Sequence, residues 1–304
     1  MNSQPGLDVE SGHRAGFVAI AGRPNVGKST LLNRLVGQKV GITSSRPQTT
    51  RHAVTGIVTR PGFQIAFIDT PGYQTRHRSP LNRAMNRAVG ASLRDANAIV
   101  WVVEALKFGR GDEAIAPLLP QHVPVVLAIN KIDLVPRKDQ LLPFIKEIAS
   151  RRPFAAVVPV SARKEFQIDA LLNELASVLP EGPRLFDEDE ITTANERFLA
   201  GELLQEKLFR LLGEELPYAT IVQIDEFKIV GDVRHIHGVV LVDKPSQKGI
   251  VIGRDGQKLK EIATQARHDM ERLFGGRVFL ELWVRVKRGW ARTETSLRRV
   301  GFES

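Results

Sequence analysis

The sequence predicts a doubly wound α/β unit with a mostly parallel sheet, followed by a smaller α+β unit. Three observations carry this. Short runs that are apolar on successive residues, the pattern of strands covered on both faces, recur between helix-length stretches through about residue 180. The segment Leu179-Pro180-Glu181-Gly182-Pro183 then breaks the pattern, with an acidic run, Asp187–Glu190, just beyond it. After the break the order changes to helix, strand, strand, short helix, glycine turn, helix, strand.

In the first unit the strand-like runs are Phe17–Ala21, Ile65–Ile68, Ala98–Val103, Val123–Ile129 and Ala155–Val160. Val54–Thr59 alternates, and pairs naturally with Phe63–Ile68 across Arg60-Pro61-Gly62 as a hairpin-like edge. In such a sheet ligands gather at the carboxyl ends of the strands. The polar motifs follow that rule, each sitting just after one of these runs.

The first is Gly22-Arg23-Pro24-Asn25-Val26-Gly27-Lys28-Ser29, between a strand and the helical pattern that opens at Thr30. It fits G-x-x-x-x-G-K-[ST]. Its backbone N–H groups can converge on an anion at a helix N-terminus, Lys28 can reach outer phosphates, and the Ser29 hydroxyl can ligate Mg²⁺. The second is Asp69-Thr70-Pro71-Gly72. Here a carboxylate at a strand end can hold the same cation through water, and Gly72 can bring an N–H close to a γ-phosphate. The third is Asn130-Lys131-Ile132-Asp133. The Asp133 carboxylate can accept from guanine N1–H and the 2-amino group, donors that adenine lacks on that edge. Asn130 can bond the Hoogsteen side, and the Lys131 stem can cover the base face. Ser161-Ala162 follows the last run, where a backbone N–H can serve guanine O6. These four motifs, in this order, resemble the translation-factor class of Ras-like GTPases. The resemblance implies a switch threonine that ligates Mg²⁺ in the GTP state. Thr49 and Thr50, in Pro47-Gln48-Thr49-Thr50-Arg51, are the candidates, with Thr50 preferred. It also implies catalytic roles for Lys28, Thr50 and Gly72, and GTP, GDP and Mg²⁺ as ligands.

One position departs from the wider class. Tyr73 stands directly after the Asp-x-x-Gly glycine, where many relatives place a water-orienting Gln, and Gln74 is one residue late. Slow intrinsic hydrolysis is the expectation. In some relatives an Asn at the Asn25 position helps bind K⁺, which raises the same role here. Downstream, Arg76, His77, Arg78, Arg83, Arg87 and Arg94 form a basic stretch, with Arg83 and Arg87 on one helical face. It reads equally as a solvated face or as an RNA contact.

In the second unit a helix is expected over about 195–212 and strands over Thr220–Phe227 and Ile236–Val242. Gly253-Arg254-Asp255-Gly256 then precedes a helix over Gln257–Phe274 that stops at Gly275-Gly276. In the last strand Val278, Leu280, Leu282, Val284 and Val286 face one way. With Ile250-Val251-Ile252 before the turn, this resembles a KH domain of bacterial topology. The resemblance implies that the Gly253–Gly256 turn clamps about four single-stranded nucleotides, with bases against Ile250 and Ile252. Residues 241–304 hold 14 Lys and Arg against 8 Asp and Glu, whereas 181–240 hold 6 against 13, so the basic surplus surrounds the turn. Lys244, Lys248, Arg254, Lys258, Lys260, Lys287 and Arg288 are the cationic candidates, with Asp255 as a counterweight. Trp290 and Phe302 can stack on bases or pack on the domain, and packing is favoured for Phe302. His235 and His237 read as structural.

The chain has 304 residues, 42% hydrophobic and 25% charged, and a net charge of +9, which suits a polyanionic partner. It has no cysteine, so disulfides and thiolate zinc sites are excluded. The expected organisation is a disordered lead over 1–15, a GTPase domain over 16–182, a linker over 183–194 and an RNA-binding domain over 195–304. Together the halves resemble the Era family of GTPases. That resemblance implies a factor for maturation of the small ribosomal subunit, acting as a single copy on the 3′ end of its ribosomal RNA. It further implies a cytoplasmic protein with some peripheral association with the inner face of the cell membrane.

Overall fold

The structure is a computed structural model that describes residues 12–44, 46, 49–73, 80–213 and 215–290. Most of the expected lead, and Pro47, Gln48, Gln74, Arg76, His77, Arg78 and Phe302, lie outside the described residues. The chain divides into two compact units. The first comprises residues up to 40, 53–75 and 88–193; the second comprises 41–52, 76–87 and 194 onward.

The first unit carries a six-stranded sheet in the order β2-β3-β1-β4-β5-β6. Its strands are β1 (Arg14–Ala21), β2 (Val54–Arg60), β3 (Phe63–Asp69), β4 (Ala98–Glu104), β5 (Val125–Asn130) and β6 (Ala156–Pro159). Only β2 runs antiparallel, paired to β3 from Val54↔Asp69 to Arg60↔Phe63, so the expected edge hairpin is present. Every residue of β4 and β5 is buried, as continuous apolar runs require. Helices α1 (Lys28–Val36), α2 (Pro80–Asp95), a single turn α3 (Arg110–Glu113), α4 (Leu141–Ala149) and α5 (Ile168–Ser177) alternate with the strands. Two apolar clusters result. One has Leu31, Leu32 and Leu35 of α1 with Leu171, Leu172 and Leu175 of α5. The other has Leu93, Trp101, Ile115 and Ile148, with Tyr73 packed against it.

The stretch expected as a linker is built into this unit. Gln64 of β3 is fully buried, and its Oε1 accepts from the backbone N–H groups of Leu185 (2.7 Å) and Phe186 (2.9 Å). Its Nε2 donates to Phe186 O (2.9 Å) and Thr59 Oγ1 (3.0 Å). Phe186 meets Phe17 edge-on, and Ile57 N donates to Ile191 O. These contacts hold the segment along β2 and β3.

The second unit carries a three-stranded sheet in the order β7-β8-β9: β7 (Thr220–Val230), β8 (Val233–Val242) and β9 (Arg277–Val286). β7 and β8 are antiparallel and β8 and β9 parallel, in register from Val233↔Arg277 to Val242↔Val286. α6 (Glu196–Leu211), α7 (Pro245–Ile252) and α8 (Gln257–Phe274) cover one face. Their core joins Leu203, Leu204 and Leu208 to Val251, Ile262, Met270, Val278 and Val284. Among the described residues the other face is covered at one end. There Leu81, Met85 and Trp290 bury Ile221, Val239 and Leu241.

Candidate functional site

The phosphate loop runs from β1 into α1. Gly27 has φ 102°, a left-handed conformation, and a Cβ there would lie 2.5 Å from Asn130 Nδ2. Asn25 is also left-handed at φ 66°. Successive N–H groups turned this way form an anion nest at the start of α1. Lys28 is buried, and its Nζ donates to Gly22 O (3.1 Å) and Arg23 O (3.2 Å). Burial pushes its pKa down to about 8, against a smaller upward pull from Asp69.

Ser29 Oγ donates to Asp69 Oδ2 at 2.6 Å, so the hydroxyl and carboxylate expected to share a cation already meet. Two hard oxygen donors at one point, beside the phosphate nest, fit Mg²⁺. Thr70 Oγ1 ties the strand end to Ile20 O, and a Cβ on Gly72 would lie 2.9 Å from Pro24 Cα.

The base-recognition motif is locked to the loop. Asn130 Nδ2 donates to Val26 O (2.9 Å), and Asn130 Oδ1 accepts from Lys131 N (2.8 Å) and Ala162 N (3.0 Å). Ser161 Oγ donates to Asp133 Oδ1 at 2.6 Å and so orients that carboxylate. Lys131 Nζ donates to Asn25 O (2.6 Å). Four motifs spread over 140 residues of sequence thus meet in one unit. Thr49 and Thr50 are buried residues of the second unit. The Thr49 hydroxyl is engaged locally, donating to Arg46 O (2.8 Å) and lying 2.6 Å from Ser44 Oγ.

Sequence reasoning missed an ionic network beneath the loop. Glu104, at the end of β4, bonds Lys131 Nζ (2.8 Å) and Lys107 Nζ (2.6 Å) and lies 3.5 Å from Arg23 Nη2. Burial raises its pKa, but the hydrogen bonds from Lys107 and Lys131 outweigh this and hold it below the ordinary value. Arg23 Nε donates to the fully buried Asp112 (3.0 Å), whose pKa burial pushes up despite that partner. The signal was present: a carboxylate directly after the apolar run of β4 obeys the same strand-end rule as the other motifs.

In the second unit the glycine turn joins α7 to α8. Gly253 has φ 74°, and a Cβ there would lie 2.6 Å from Lys258 Cβ; Asp255 is left-handed at φ 51°. Ile250 is 59% exposed beside the turn, while Ile252 packs on the core. Lys244, Lys248, Arg254, Lys260 and Arg288 are exposed; Lys258, paired to Glu261 at 2.7 Å, and Lys287 are half-buried. Trp290 corrects the stacking alternative. It is 1% exposed, donates Nε1 to Ala219 O (3.1 Å) and lies in the core, where no base can reach its face. His235 packs against Phe279 and His237 against Glu226 and Glu281; among the described residues no cluster fit for a metal ion forms.

The loop carrying Thr49 and Thr50 is tied to α6 and the chain after it. Glu206 Oε2 accepts from Thr43 N (3.2 Å), and Arg210 donates to Thr43 O (3.0 Å) and Oγ1 (2.9 Å). Arg51 donates to Thr220 O (2.7 Å) and Pro217 O (3.1 Å) and stacks over Phe209.

A phosphate loop locked to a guanine motif on a Ras-like sheet, with a KH fold following, defines the class: a GTPase with an RNA-binding module. Residues 17–131 match the family described as 50S ribosome-binding GTPase, and residues 215–291 match the KH domain family. The chain is 53% identical over 293 residues to GTPase Era of Nitrosomonas eutropha, covering 96% of this chain and 99% of that one. It is 51% identical over 288 residues to GTPase Era of Chromobacterium violaceum, covering 95% and 97%. Among solved structures it superposes on Aquifex aeolicus Era bound to GDP·AlF₄⁻ with TM-score 0.92 and 39% identity, over 96% of this chain and 100% of that one. The same values hold for Era in complex with MgGDPNP and nucleotides 1506–1542 of 16S ribosomal RNA. The chain belongs to the Era family of GTPases. Among the described residues no helix is long and apolar enough to cross a membrane.

Proposed function

We propose that this chain binds GTP with Mg²⁺ in its first unit, hydrolyses it slowly, and grips the 3′ end of small-subunit ribosomal RNA through its second during subunit assembly. The observation that carries the reading is the lock between Asn130, Val26 and Ala162, which holds a guanine site and a phosphate nest in one rigid frame. The related Era bound to MgGDPNP and 16S nucleotides 1506–1542 supports both ligands.

Each residue has a role in this reading. The N–H groups of Asn25–Thr30 cradle the phosphates, and Lys28 neutralises charge that grows on the β- and γ-oxygens in the transition state. Ser29 and Asp69 hold Mg²⁺, which clamps the phosphate oxygens when bound. Thr50, the switch threonine that the family resemblance favours, would join them in the GTP state. Pro71 shapes the turn that presents Gly72 N–H to the γ-phosphate. Asp133, Asn130 and Lys131 read guanine, and the Ala162 N–H, which here meets Asn130 Oδ1, turns to guanine O6 when the base binds. Tyr73 packs on the apolar cluster with Leu93 and Trp101, away from a water-orienting role, so the intrinsic rate is slow. Asn25 is the residue that would help hold K⁺, which would supply a further positive charge beside the phosphates; equal rates in K⁺ and Na⁺ would remove that role.

The two activities are coupled. The loop bearing Thr50 is held by Glu206, Arg210 and Arg51 within the KH unit, so a GTP-driven change in that loop alters the KH unit's own contacts. RNA must then change nucleotide affinity by the same factor. The test measures GTP hydrolysis with and without a single-stranded oligonucleotide of the ribosomal RNA 3′ end, and RNA affinity in GTP-analogue and GDP states. Unchanged rates and affinities refute the coupling. We further propose an RNA-binding domain over 195–304 and peripheral contact with the inner membrane face, which flotation with anionic vesicles tests.

A further inference from the structure

The outward face of β9 carries a row that the nucleotide site and the glycine turn leave unused. Residues 277, 279, 281, 283 and 285 point away from the helices, because Val278 and Val284 between them enter the core with Val251 and Ile262. The row reads Arg277, Phe279, Glu281, Trp283, Arg285. Trp283 is 63% exposed and Phe279 47% exposed. A Trp and a Phe exposed on one strand face, with Glu281 between them, call for a partner. Four residues of strand set them about 13 Å apart, room for separate bases. His235 lies 5.2 Å from the Phe279 ring and steadies it.

We infer that this row is a second RNA surface, on which single-stranded bases leaving the glycine turn stack on Trp283 and Phe279 while Arg277 and Arg285 meet the backbone. The inference rests on the KH reading above. Three features select RNA over protein. The row is one strand wide and hemmed by the Lys228–Glu226 and His237–Glu281 pairs, far short of the roughly 800 Å² per partner of a stable protein interface. Arginines close both ends, Arg285 lying 3.7 Å from the exposed Asp225, a weak pair that phosphate can displace, and the one acidic residue between them in the row, Glu281, lies 3.5 Å from His237 Nε2. The row and the clamp share the edge strand: the inward face of β9 packs with Val251 and Ile262 of the helices that flank the turn, so RNA leaving the turn reaches the row around the edge of β9. A glycine turn holds about four nucleotides. The RNA bound by the related Era runs from 1506 to 1542, so much of it must lie elsewhere. Aromatic platforms flanked by cations are how proteins hold such extra bases without reading their sequence.

The experiment uses the full chain with a GTP analogue and two labelled oligonucleotides from the small-subunit RNA 3′ end. One is just long enough for the turn; the other extends well beyond it. Trp283→Ala combined with Phe279→Ala is expected to weaken the long oligonucleotide at least about fivefold, leave the short one unchanged, and be partly rescued by Trp283→Phe. Trp101 and Trp290 are buried at 1% exposure, so RNA quenching of tryptophan emission should come from Trp283 and vanish in Trp283→Ala. If the short oligonucleotide binds but the long one gains nothing from the aromatics and quenches no emission, the second surface is wrong and the clamp stands. If the wild type binds neither, the clamp reading fails and this surface with it. Full RNA affinity in Trp283→Ala with lost small-subunit co-sedimentation would put a protein on the face and overturn the RNA assignment.

Discussion

Replacing Lys28 should make the nucleotide-free protein more stable while ending its function. The ammonium is buried with two backbone carbonyls as partners, and burial lowers its pKa from 10.5 to about 8. The unfolded chain therefore binds more protons between those values, and native stability rises with pH across that window. Below about pH 8 the folded state carries the whole penalty, about 3 kcal/mol from the 1.36 kcal/mol per pKa unit. Lys28→Met keeps the stem and removes the charge, so it should raise the unfolding free energy of the apo protein by about 1–3 kcal/mol near pH 7. Bound phosphates reverse the shift, because their charge favours the ammonium. Nucleotide binding at about pH 8.5 should then take up about 0.8 proton, and affinity should fall about fourfold from pH 7 to 8.5. The assay is titration calorimetry in buffers of different ionisation heat, kept below the pH at which guanine loses its N1 proton. No proton uptake, with flat affinity and no stabilisation in Lys28→Met, would refute the reasoning.

Other expectations are equally concrete. Asp133→Asn should lose about 3 kcal/mol of GTP affinity and turn preference toward xanthine nucleotides, read by competition binding. Gln64→Leu leaves the N–H groups of Leu185 and Phe186 without their acceptor and should cost about 2–4 kcal/mol in urea unfolding. Glu104→Gln should destabilise by about 1 kcal/mol at neutral pH. The folded Glu104 pKa is depressed, so its contribution is present above the ordinary value of 4.5 and lost as pH falls through the folded one. The mutant and wild-type unfolding curves should therefore converge in acid. Hydrolysis should stay slow in Tyr73→Ala, because the ring packs on the core and orients no water.

Much of this was legible because the chemistry lies in contiguous residues. A phosphate nest needs its glycines and lysine within one loop, and guanine recognition needs Asn130 and Asp133 at one strand end. The apolar runs placed the strands, and the helix over Gln257–Phe274 came out with the expected ends, since Gly256 and Gly275 punctuate it. What escaped notice depends on partners far apart in sequence. Gln64 reads as a polar residue of an edge hairpin, yet it serves backbone groups more than 120 positions away. Arg23 and Asp112 are 89 residues apart, and neither is informative alone. The proline-rich break suggested a free linker, but Phe186 and Ile191 are apolar anchors within it. Trp290 offered two readings because a tryptophan near a basic segment suits stacking and packing equally. Only its place beside Leu81 and Met85, some 200 positions earlier, decides between them.

The central claim is that one chain joins guanine-nucleotide chemistry to an RNA grip. The most direct test is Gly253→Asp with Gly256→Asp, which displaces the turn against Lys258 and adds negative charge where phosphate should lie. Binding of the ribosomal RNA 3′-end oligonucleotide should fall at least about tenfold, while GTP affinity and RNA-free hydrolysis stay at wild-type levels. Undiminished RNA binding in that variant would contradict the account.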